Sequence, residues 1–216
     1  ISLREADPFL NPFINAKLKC FWSQDDMNEA DLIKAQNQKY IRSNIDLFFV
    51  ISEHSKKSIL NSFPEKDFIL LRNGFNVELA NTSGSRKPVA IYASTPFRGL
   101  DVLSEVWEGI CSELSEPPEL RIFSGMSLYR QSDSIFEELY RKLMNQPNVK
   151  VNSPVSQFQL YKEFQQTQVM LYPNHFLETG CMSVTEALAN GVWIITTDLG
   201  ALGEQVKDNV NGNLIK

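Results

Sequence analysis

The chain has 216 residues, of which 43% are hydrophobic and 11% aromatic, so it can bury a sizeable core in one or two domains. Its formal charge is −5 and no basic run exceeds a pair, which argues against nucleic-acid binding. The apolar runs are too short to span a bilayer, and three distant cysteines with only two histidines favour a reduced cytoplasmic protein without a multi-histidine metal centre.

Strand-like apolar segments alternate with amphipathic helical segments from residue 45 onward. We predict strands at 45–52, 68–71, 89–93, 120–123, 149–151, 169–172, 193–196 and 213–215. We predict helices at 53–63, 100–114, 135–144, 157–165 and 184–189. This alternation predicts an α/β fold with a Rossmann-like parallel sheet and helices on both of its faces.

A polar stretch divides the chain. Residues 76–87 contain Asn-Thr-Ser-Gly-Ser-Arg-Lys and lack apolar periodicity, which is typical of a linker. We therefore expect residues 1–75 to belong to one Rossmann-like domain, of which they form only a remnant. Residues 88–216 would form a second Rossmann-like domain.

The helix after strand 89–93 is predicted to begin with Thr95 as N-cap and Pro96 at its first position. This would place Arg98 and Gly99 at a helix N-terminus on the carboxyl edge of the sheet, where ligands bind in open parallel sheets. Arg98 could pair there with a phosphate, or it could simply face solvent.

The most informative segment is 171–191, in which an apolar strand is followed by a polar loop with Glu178 and by a helix that opens near Ser183 and carries Glu186. This order of elements presents backbone N–H groups and a positive dipole end to an anion. A carboxylate beside such a site needs another role, and accepting hydrogen bonds from sugar or ribose hydroxyls is one. Alternatively, Ser183 and Glu186 form a capping box and Glu186 is structural.

These residues carry a resemblance to a known family. Glu178 and Glu186 have seven residues between them and are followed by Ala-Leu-Ala-Asn-Gly and an apolar strand. This pattern resembles the donor-site motif of retaining glycosyltransferases of family 4, of the glycosyl transferases group 1 type, which have the GT-B fold. The resemblance implies that Glu178 and the backbone of residues 180–183 hold the transferred sugar. It also implies that Glu186 binds ribose and that the turn at Ser183–Val184 faces the diphosphate.

Other loops extend the resemblance. Arg98-Gly99 is similar to a diphosphate-binding turn, Gly125 to a wall of the nucleotide site, and Pro154–Val155 to a base-binding loop, while Gln24-Asp25 is the nearest counterpart of a His-Asp pair in the family. The implied catalytic residues are Glu178 and Arg98. The implied donor-binding residues are Arg98, Gly99, Gly125, Pro154, Val155, Gly180, Cys181, Met182, Ser183, Val184 and Glu186. No metal ligand is implied.

The expected function is transfer of a sugar, with retention, from a UDP- or GDP-sugar to a glycan, polysaccharide or lipid-linked acceptor in the cytoplasm. No cofactor is expected besides this donor, and peripheral membrane association of the parent protein stays open. The resemblance covers residues 45–216 well and 1–44 poorly. We therefore expect a fragment whose donor-binding domain is truncated at its C-terminal end, with no turnover of its own.

Two alternatives come from other functional classes. The chain could be a nucleotide-sugar-binding module without catalysis, which a binding assay and a transfer assay would distinguish. A nicotinamide-dependent Rossmann enzyme would need Gly-x-Gly-x-x-Gly after the first strand of the domain. Residues 94–99 read Ser-Thr-Pro-Phe-Arg-Gly and do not supply it.

Overall fold

The computed structural model describes residues 1–215, without the side chain of Leu128. These residues form two compact units. The first unit comprises Ile1–Asn73, Leu177–Gly180 and Gly200–Glu204. The second comprises Gly74–Phe176, Cys181–Leu199 and the chain from Gln205 onward. Two short loops that lie late in the sequence therefore belong with the N-terminal part of the chain.

The first unit is built on a parallel sheet with strand order β1–β2–β3–β4. Its strands are Ser2–Leu3 (β1), Cys20–Ser23 (β2), Leu47–Val50 (β3) and Asp67–Leu70 (β4). Its helices are Ala30–Asn37 (α1), Lys39–Asn44 (α2) and Glu53–Leu60 (α3). The elements β2, α1 and α2 lie in the region for which the sequence pattern predicted no regular structure.

Closely packed phenylalanine rings form the centre of this unit. The ring of Phe48 lies 5.6 Å from that of Phe21, 4.9 Å from that of Phe63 and 5.3 Å from that of Phe68. Phe48 and Val50 alternate with half-buried neighbours along β3, as expected for a strand with one face in the core. Aromatic rings at these separations add to the free energy gained from burying their area.

The second unit is also built on a parallel sheet. Its strands are Val89–Ala93 (β5), Glu119–Phe123 (β6), Val149–Asn152 (β7), Val169–Tyr172 (β8), Trp193–Thr197 (β9) and Gly212–Ile215 (β10). Its helices are Leu100–Glu113 (α4), Glu137–Met144 (α5), Gln157–Phe164 (α6) and Met182–Ala189 (α7). The short helix Leu202–Gln205 (α8) follows β9, and all of it except Gln205 is counted with the first unit.

The strand order of this second sheet is β7–β6–β5–β8–β9–β10. It is the doubly wound order, in which the chain starts at the middle of the sheet, runs to one edge, and then returns to build the other half. The direction of winding changes between β5 and β8. Every residue of β5 is buried, as a central strand covered on both faces requires. The predicted α/β fold with parallel sheets flanked by helices is confirmed.

The irregular segment that leads into β5 is attached to the second unit by Arg86. Its guanidinium donates hydrogen bonds to the carbonyl oxygens of Phe164, Thr167 and Asn190. These carbonyls lie at the C-terminal ends of α6 and α7, where a helix dipole favours a positive charge. The side chain therefore holds the C-terminal end of α6 to that of α7, the helix that carries the predicted site residues Met182, Ser183, Val184 and Glu186.

Across residues 1–215, no helix combines the length and apolar character needed to cross a membrane.

Candidate functional site

The candidate site lies where the winding of the second sheet reverses, because ligands bind outside the carboxyl ends of the strands on either side of such a point. Here those strands are β5 and β8, and the loops that follow them touch. Gly99 has φ of +92°, and a Cβ built on it would lie 2.1 Å from the carbonyl oxygen of Pro173. A residue with a side chain would clash there, so this close approach depends on glycine.

Arg98 lies in the turn between β5 and α4, with its guanidinium against aromatic rings. The guanidinium carbon is 4.9 Å from the ring centre of Phe176 and 5.5 Å from that of Phe97. Its Nη2 lies 3.4 Å from the hydroxyl oxygen of Tyr129. The rings attract the cation by their quadrupole and restrict where it can point.

The prediction that Thr95 caps α4 is wrong. The helix begins at Leu100, with Gly99 as its N-cap, and the preceding residues form a turn in which the N–H of Arg98 donates to the carbonyl oxygen of Thr95 at 3.2 Å. The left-handed φ of Gly99 separates this turn from the helix. Pro96 therefore lies outside the helix, and Arg98 lies on the loop that precedes the helix start.

The loops after β6 and β7 meet at Gly125. A Cβ at Gly125 would lie 2.7 Å from Cδ of Pro154, so these two predicted nucleotide-site residues are in contact. Asp133 anchors the loop, because its carboxylate accepts hydrogen bonds from the N–H of Met126 at 2.9 Å and from the hydroxyl of Tyr140 at 3.3 Å. These contacts hold the loop after β6 against the loop after β7 at the carboxyl edge of the sheet.

Helix α7 begins one residue earlier than the predicted opening near Ser183. Its N-cap is Cys181, a buried thiol whose Sγ lies 3.4 Å from Oγ of Ser183. Met182 is the first helical residue, and Val184 is buried beneath the first turn. The first N–H groups of an α-helix lack partners within the helix, so this end can receive an anion.

The capping-box interpretation of Ser183 and Glu186 is wrong, because both residues lie inside α7. A capping residue must stand just before the helix, with its partner at the third helical position. The structure has a capping box at the start of α6 instead, where Ser156 accepts from the N–H of Gln159 and the Gln159 side chain accepts from the N–H of Ser156.

Glu186 is a buried carboxylate held by neutral hydrogen-bond donors. Its side chain is largely covered, with 7% of the residue exposed. Nε2 of Gln157 donates to Oε1 at 2.5 Å, and the hydroxyl of Tyr161 forms a second hydrogen bond with the carboxylate. Burial raises the pKa of Glu186 above the ordinary value of 4.5, although the two hydrogen bonds act to lower it.

Glu178 and Gly180 belong to the first unit. Glu178 is 3% exposed, its backbone bridges to Gly200, and its carbonyl oxygen accepts a hydrogen bond from the N–H of Ala201 at 2.7 Å. A Cβ at Gly180 would lie 3.0 Å from the side chain of Ile51. The predicted residues of the second unit lie at the carboxyl edge of its sheet, and Glu178 and Gly180 are counted with the first unit.

The counterpart of the family's His-Asp pair also lies in the first unit. Asp25 forms an ion pair with Arg4 at 2.7 Å, and the backbone oxygen of Gln24 accepts a hydrogen bond from the hydroxyl of Thr179 at 2.7 Å. Burial raises the pKa of Asp25, and Arg4 only partly offsets this. Among the described residues, no three His, Cys, Asp or Glu side chains cluster in a way that could hold a metal ion.

Sequence reasoning missed Gln157, Tyr161, Phe176 and Tyr129 as partners of the predicted site residues. Gln157 and Tyr161 are four residues apart on α6, a spacing that places both on one helix face. That spacing, directly after the loop with Pro154, was the available signal. For Phe176 and Tyr129, the available signal was that both are aromatic residues in loops at the same edge of the sheet.

Comparisons with known proteins identify the family. Residues 80–216, more than half of the chain, match the family described as Glycosyl transferases group 1. No curated protein matches the sequence at a significant level.

Three solved structures illustrate the structural similarity. The Anabaena protein Alr3699/HepE in complex with UDP superposes with a TM-score of 0.76 at 14% identity, over 98% of this chain and 62% of that protein. The pneumococcal O-GlcNAc transferase GtfA in complex with UDP and GlcNAc gives 0.65 at 18% identity, over 91% and 40%. Sucrose-phosphate synthase from Thermosynechococcus elongatus gives 0.67 at 15%, over 91% and 54%.

The chain thus spans between 40% and 62% of the length of these three proteins. At such low identities the structural matches establish the fold, which is of the GT-B class. The family match rests on the sequence itself and covers both helix starts and both glutamates of the donor-site motif. The chain belongs to the glycosyl transferases group 1 family.

Proposed function

We propose that the parent protein is a retaining glycosyltransferase of family 4 that transfers a sugar from a UDP- or GDP-sugar to a glycan, polysaccharide or lipid-linked acceptor. One observation carries the proposal. In a chain of the glycosyl transferases group 1 family, Glu186 is buried without a cationic partner among the described residues and is held by two neutral donors. A buried carboxylate with acceptor positions left over is suited to the hydroxyl groups of a ligand.

The diphosphate of the donor would bind at the edge formed by the β5–α4 turn and the N-terminus of α7. Arg98 supplies a positive charge there, and the helix start supplies N–H donors. As the bond to the sugar breaks, negative charge develops on the departing diphosphate. Groups already oriented toward it stabilise that charge without reorganisation, which is the principal catalytic effect that these residues can supply.

The nucleoside would lie along α6 and the loops beside it. A carboxylate has about four acceptor positions, so the two protein donors on Glu186 leave room for two ribose hydroxyls. The contact between Gly125 and Pro154 provides a surface for the base, and Val155 lies next to it in the chain. Base recognition by backbone groups of this loop would complete the site.

The transferred sugar would be oriented by Glu178 and by the backbone from Gly180 onward. In a transfer with retention, the acceptor attacks from the face that the diphosphate leaves, and a phosphate oxygen takes the acceptor proton. On this proposal the reaction needs the nucleotide-sugar donor and no further cofactor or metal.

UDP is the nucleotide in the HepE and GtfA structures, so UDP-sugars are the first donors to test and GDP-sugars the second. We place the reaction in the cytoplasm, supported by three cysteines that are buried thiols in the structure. A lipid-linked acceptor would bring the parent protein to a membrane surface as a peripheral protein.

Calorimetric titration of the chain with UDP, GDP, ADP, uridine and guanosine tests the nucleotide site. We expect one diphosphate to bind more tightly than its nucleoside, Arg98→Ala to reduce that difference, and Glu186→Gln to weaken both. Equal affinity for UDP and uridine, and for GDP and guanosine, would refute a phosphate site at Arg98. Transfer assays on the parent protein then distinguish an enzyme from a nucleotide-sugar-binding module, since only an enzyme releases nucleoside diphosphate when an acceptor is added.

A further inference from the structure

Two side chains on α6 contact the carboxylate of the proposed ribose site, and neither belongs to the donor-site motif of the sequence. Gln157 begins the helix, Tyr161 lies one turn later, and both side chains reach the carboxylate of Glu186 on α7. Each supplies one hydrogen bond. The two helices are connected in the chain only through β8 and its loop, so this contact is a feature of the folded unit.

The hydroxyl of Tyr161 has a second hydrogen-bond partner. The backbone N–H of Asn76 donates to the hydroxyl oxygen of Tyr161 at 3.2 Å. A hydroxyl whose oxygen accepts this bond still has its single proton to donate, and the neighbouring carboxylate of Glu186 can accept it. Tyr161 is 1% exposed, so its ring cannot swing away while the unit is folded.

Gln157, unlike the buried Tyr161, donates to the carboxylate from the protein surface. The residue is exposed as a whole, yet its Nε2 lies 2.5 Å from Oε1 of Glu186. An amide at the surface end of the contact and a buried hydroxyl at the other hold the carboxylate in one orientation. A glutamate side chain that lacked such donors would sample several rotamers, and it would have to give up that freedom when a ligand binds.

We infer that Gln157 and Tyr161 are positioning residues that fix the Glu186 carboxylate for the ribose hydroxyls and thereby set the preference for ribonucleotides over 2′-deoxyribonucleotides. The inference rests on the proposed function, because it presupposes that Glu186 contacts ribose. It goes further in assigning the selectivity to two residues on another helix. Binding of the diphosphate, which depends on Arg98, does not involve them.

The test measures the affinity of the chain for UDP and 2′-deoxy-UDP, with GDP and 2′-deoxy-GDP in parallel. A hydroxyl that bonds to a carboxylate is worth about 1.5–3 kcal/mol, so we expect wild type to prefer the ribonucleotide by about tenfold or more. In Gln157→Leu we expect the ratio to fall below about threefold, while UDP still binds more tightly than uridine. Gln157→Met has nearly the same size but cannot donate, and it should lower the ratio as far.

Gln168→Leu is the matched control, since Gln168 is an exposed glutamine of the same unit that precedes β8. It should leave the ratio unchanged. Tyr161→Phe removes only the hydroxyl, and we expect the same loss of selectivity together with a lower melting temperature, because the N–H of Asn76 loses its acceptor. Should Tyr161→Phe not fold, the Gln157 variants still decide the question, because an exposed side chain tolerates replacement.

The outcomes separate the inference from the proposed function. If wild type binds none of UDP, GDP and ADP, the proposed function is refuted and the inference with it. If wild type binds a diphosphate but does not distinguish ribose from 2′-deoxyribose, Glu186 is not a ribose ligand and the inference fails. If wild type discriminates and Gln157→Leu keeps the full ratio, the inference alone is overturned and the nucleotide site stands.

Discussion

The guanidinium of Arg98 lies over the ring of Phe176, 4.9 Å from its centre. The two residues come from loops at the ends of neighbouring strands, β5 and β8, so the contact crosses the point where the sheet reverses its winding. A cation held on an aromatic face loses less conformational freedom when it meets a phosphate. Phe176 would therefore contribute to diphosphate binding without touching the ligand.

Replacing Phe176 by Leu should weaken UDP binding by about two- to thirtyfold, which corresponds to a cation–π energy of about 0.5–2 kcal/mol. Uridine binding should not change, and Phe176→Tyr, which keeps the ring, should resemble wild type. Calorimetric titration of the three proteins with UDP and uridine measures this. An equal loss of affinity for UDP and uridine would show that Phe176 supports the loop in general and not Arg98.

Gly99→Ala should destabilise the second unit. The new Cβ would meet the carbonyl oxygen of Pro173 at 2.1 Å, and the left-handed φ of +92° alone costs a residue with a side chain about 1–2 kcal/mol. The control is Gly109→Ala in the middle of α4, where a new Cβ meets nothing within 4 Å. We expect this control to stabilise the protein by about 0.5–1 kcal/mol. Urea unfolding measures the free energy of unfolding of both variants. If both substitutions changed this free energy in the same direction, the close-approach argument would be contradicted.

Nucleotide binding through Glu186 should strengthen as pH rises. Burial raises the pKa of this carboxyl above 4.5, so a larger protonated fraction persists at mildly acidic pH, and the protonated form is a poorer acceptor for ribose hydroxyls. The effect on stability has the opposite sign. The folded state favours the neutral acid, so the stabilisation is complete below pH 4.5 and is lost as pH rises through the folded pKa.

The binding effect is measured as the ratio of UDP affinities of wild type and Glu186→Gln between about pH 5 and about pH 8. Protonation of the UDP phosphate affects both proteins equally and cancels in the ratio. We expect the ratio to increase with pH and to level off once the carboxyl is ionised. A ratio that stays constant over this range would mean that the charge of Glu186 does not contribute to binding.

Glu204 should stabilise the first unit as a cap of α3. Its carboxylate accepts hydrogen bonds from the N–H groups of Glu53 at 3.0 Å and His54 at 2.8 Å, and it pairs with Arg72 at 3.0 Å. Burial acts to raise the pKa of Glu204, but these hydrogen bonds and the charge of Arg72 outweigh it, so the pKa lies below 4.5. The stabilisation is thus present above pH 4.5 and is lost as pH falls through the folded pKa.

Glu204→Gln should lower the free energy of unfolding by about 1–2 kcal/mol at neutral pH, with a smaller difference from wild type in acid. Thermal unfolding over a series of pH values measures this. Glu5→Gln, at an exposed glutamate of the same unit, is the control and should have little effect. If the two variants behaved alike, Glu204 would not be a cap.

The strands of the second unit could be predicted because buried parallel strands are short apolar runs, and β5 and β8 match the prediction residue for residue. The N-cap residues of α4 and α7 could not be predicted. Gly99 ends the turn because Pro173, far along the chain, leaves no space for a side chain. Likewise, Gln157 meets Glu186 across 29 residues of sequence, a contact that depends on how two helices pack. Local sequence patterns predict strands and helices, whereas the contacts that position the site residues form between segments that are far apart in the sequence.

The hydrogen bond from Asn76 to Tyr161 has a consequence for how the nucleotide site responds to the rest of the chain. Asn76 lies in the irregular segment before β5, and its N–H begins a relay that ends at the Glu186 carboxylate. A shift of the backbone at Asn76 would weaken the hold of Tyr161 on that carboxylate. By thermodynamic reciprocity, a bound nucleotide must then restrain the backbone at Asn76 with the same coupling free energy. Nucleotide binding would therefore reduce the motion of the backbone at Asn76, and the hydroxyl of Tyr161 would transmit this effect.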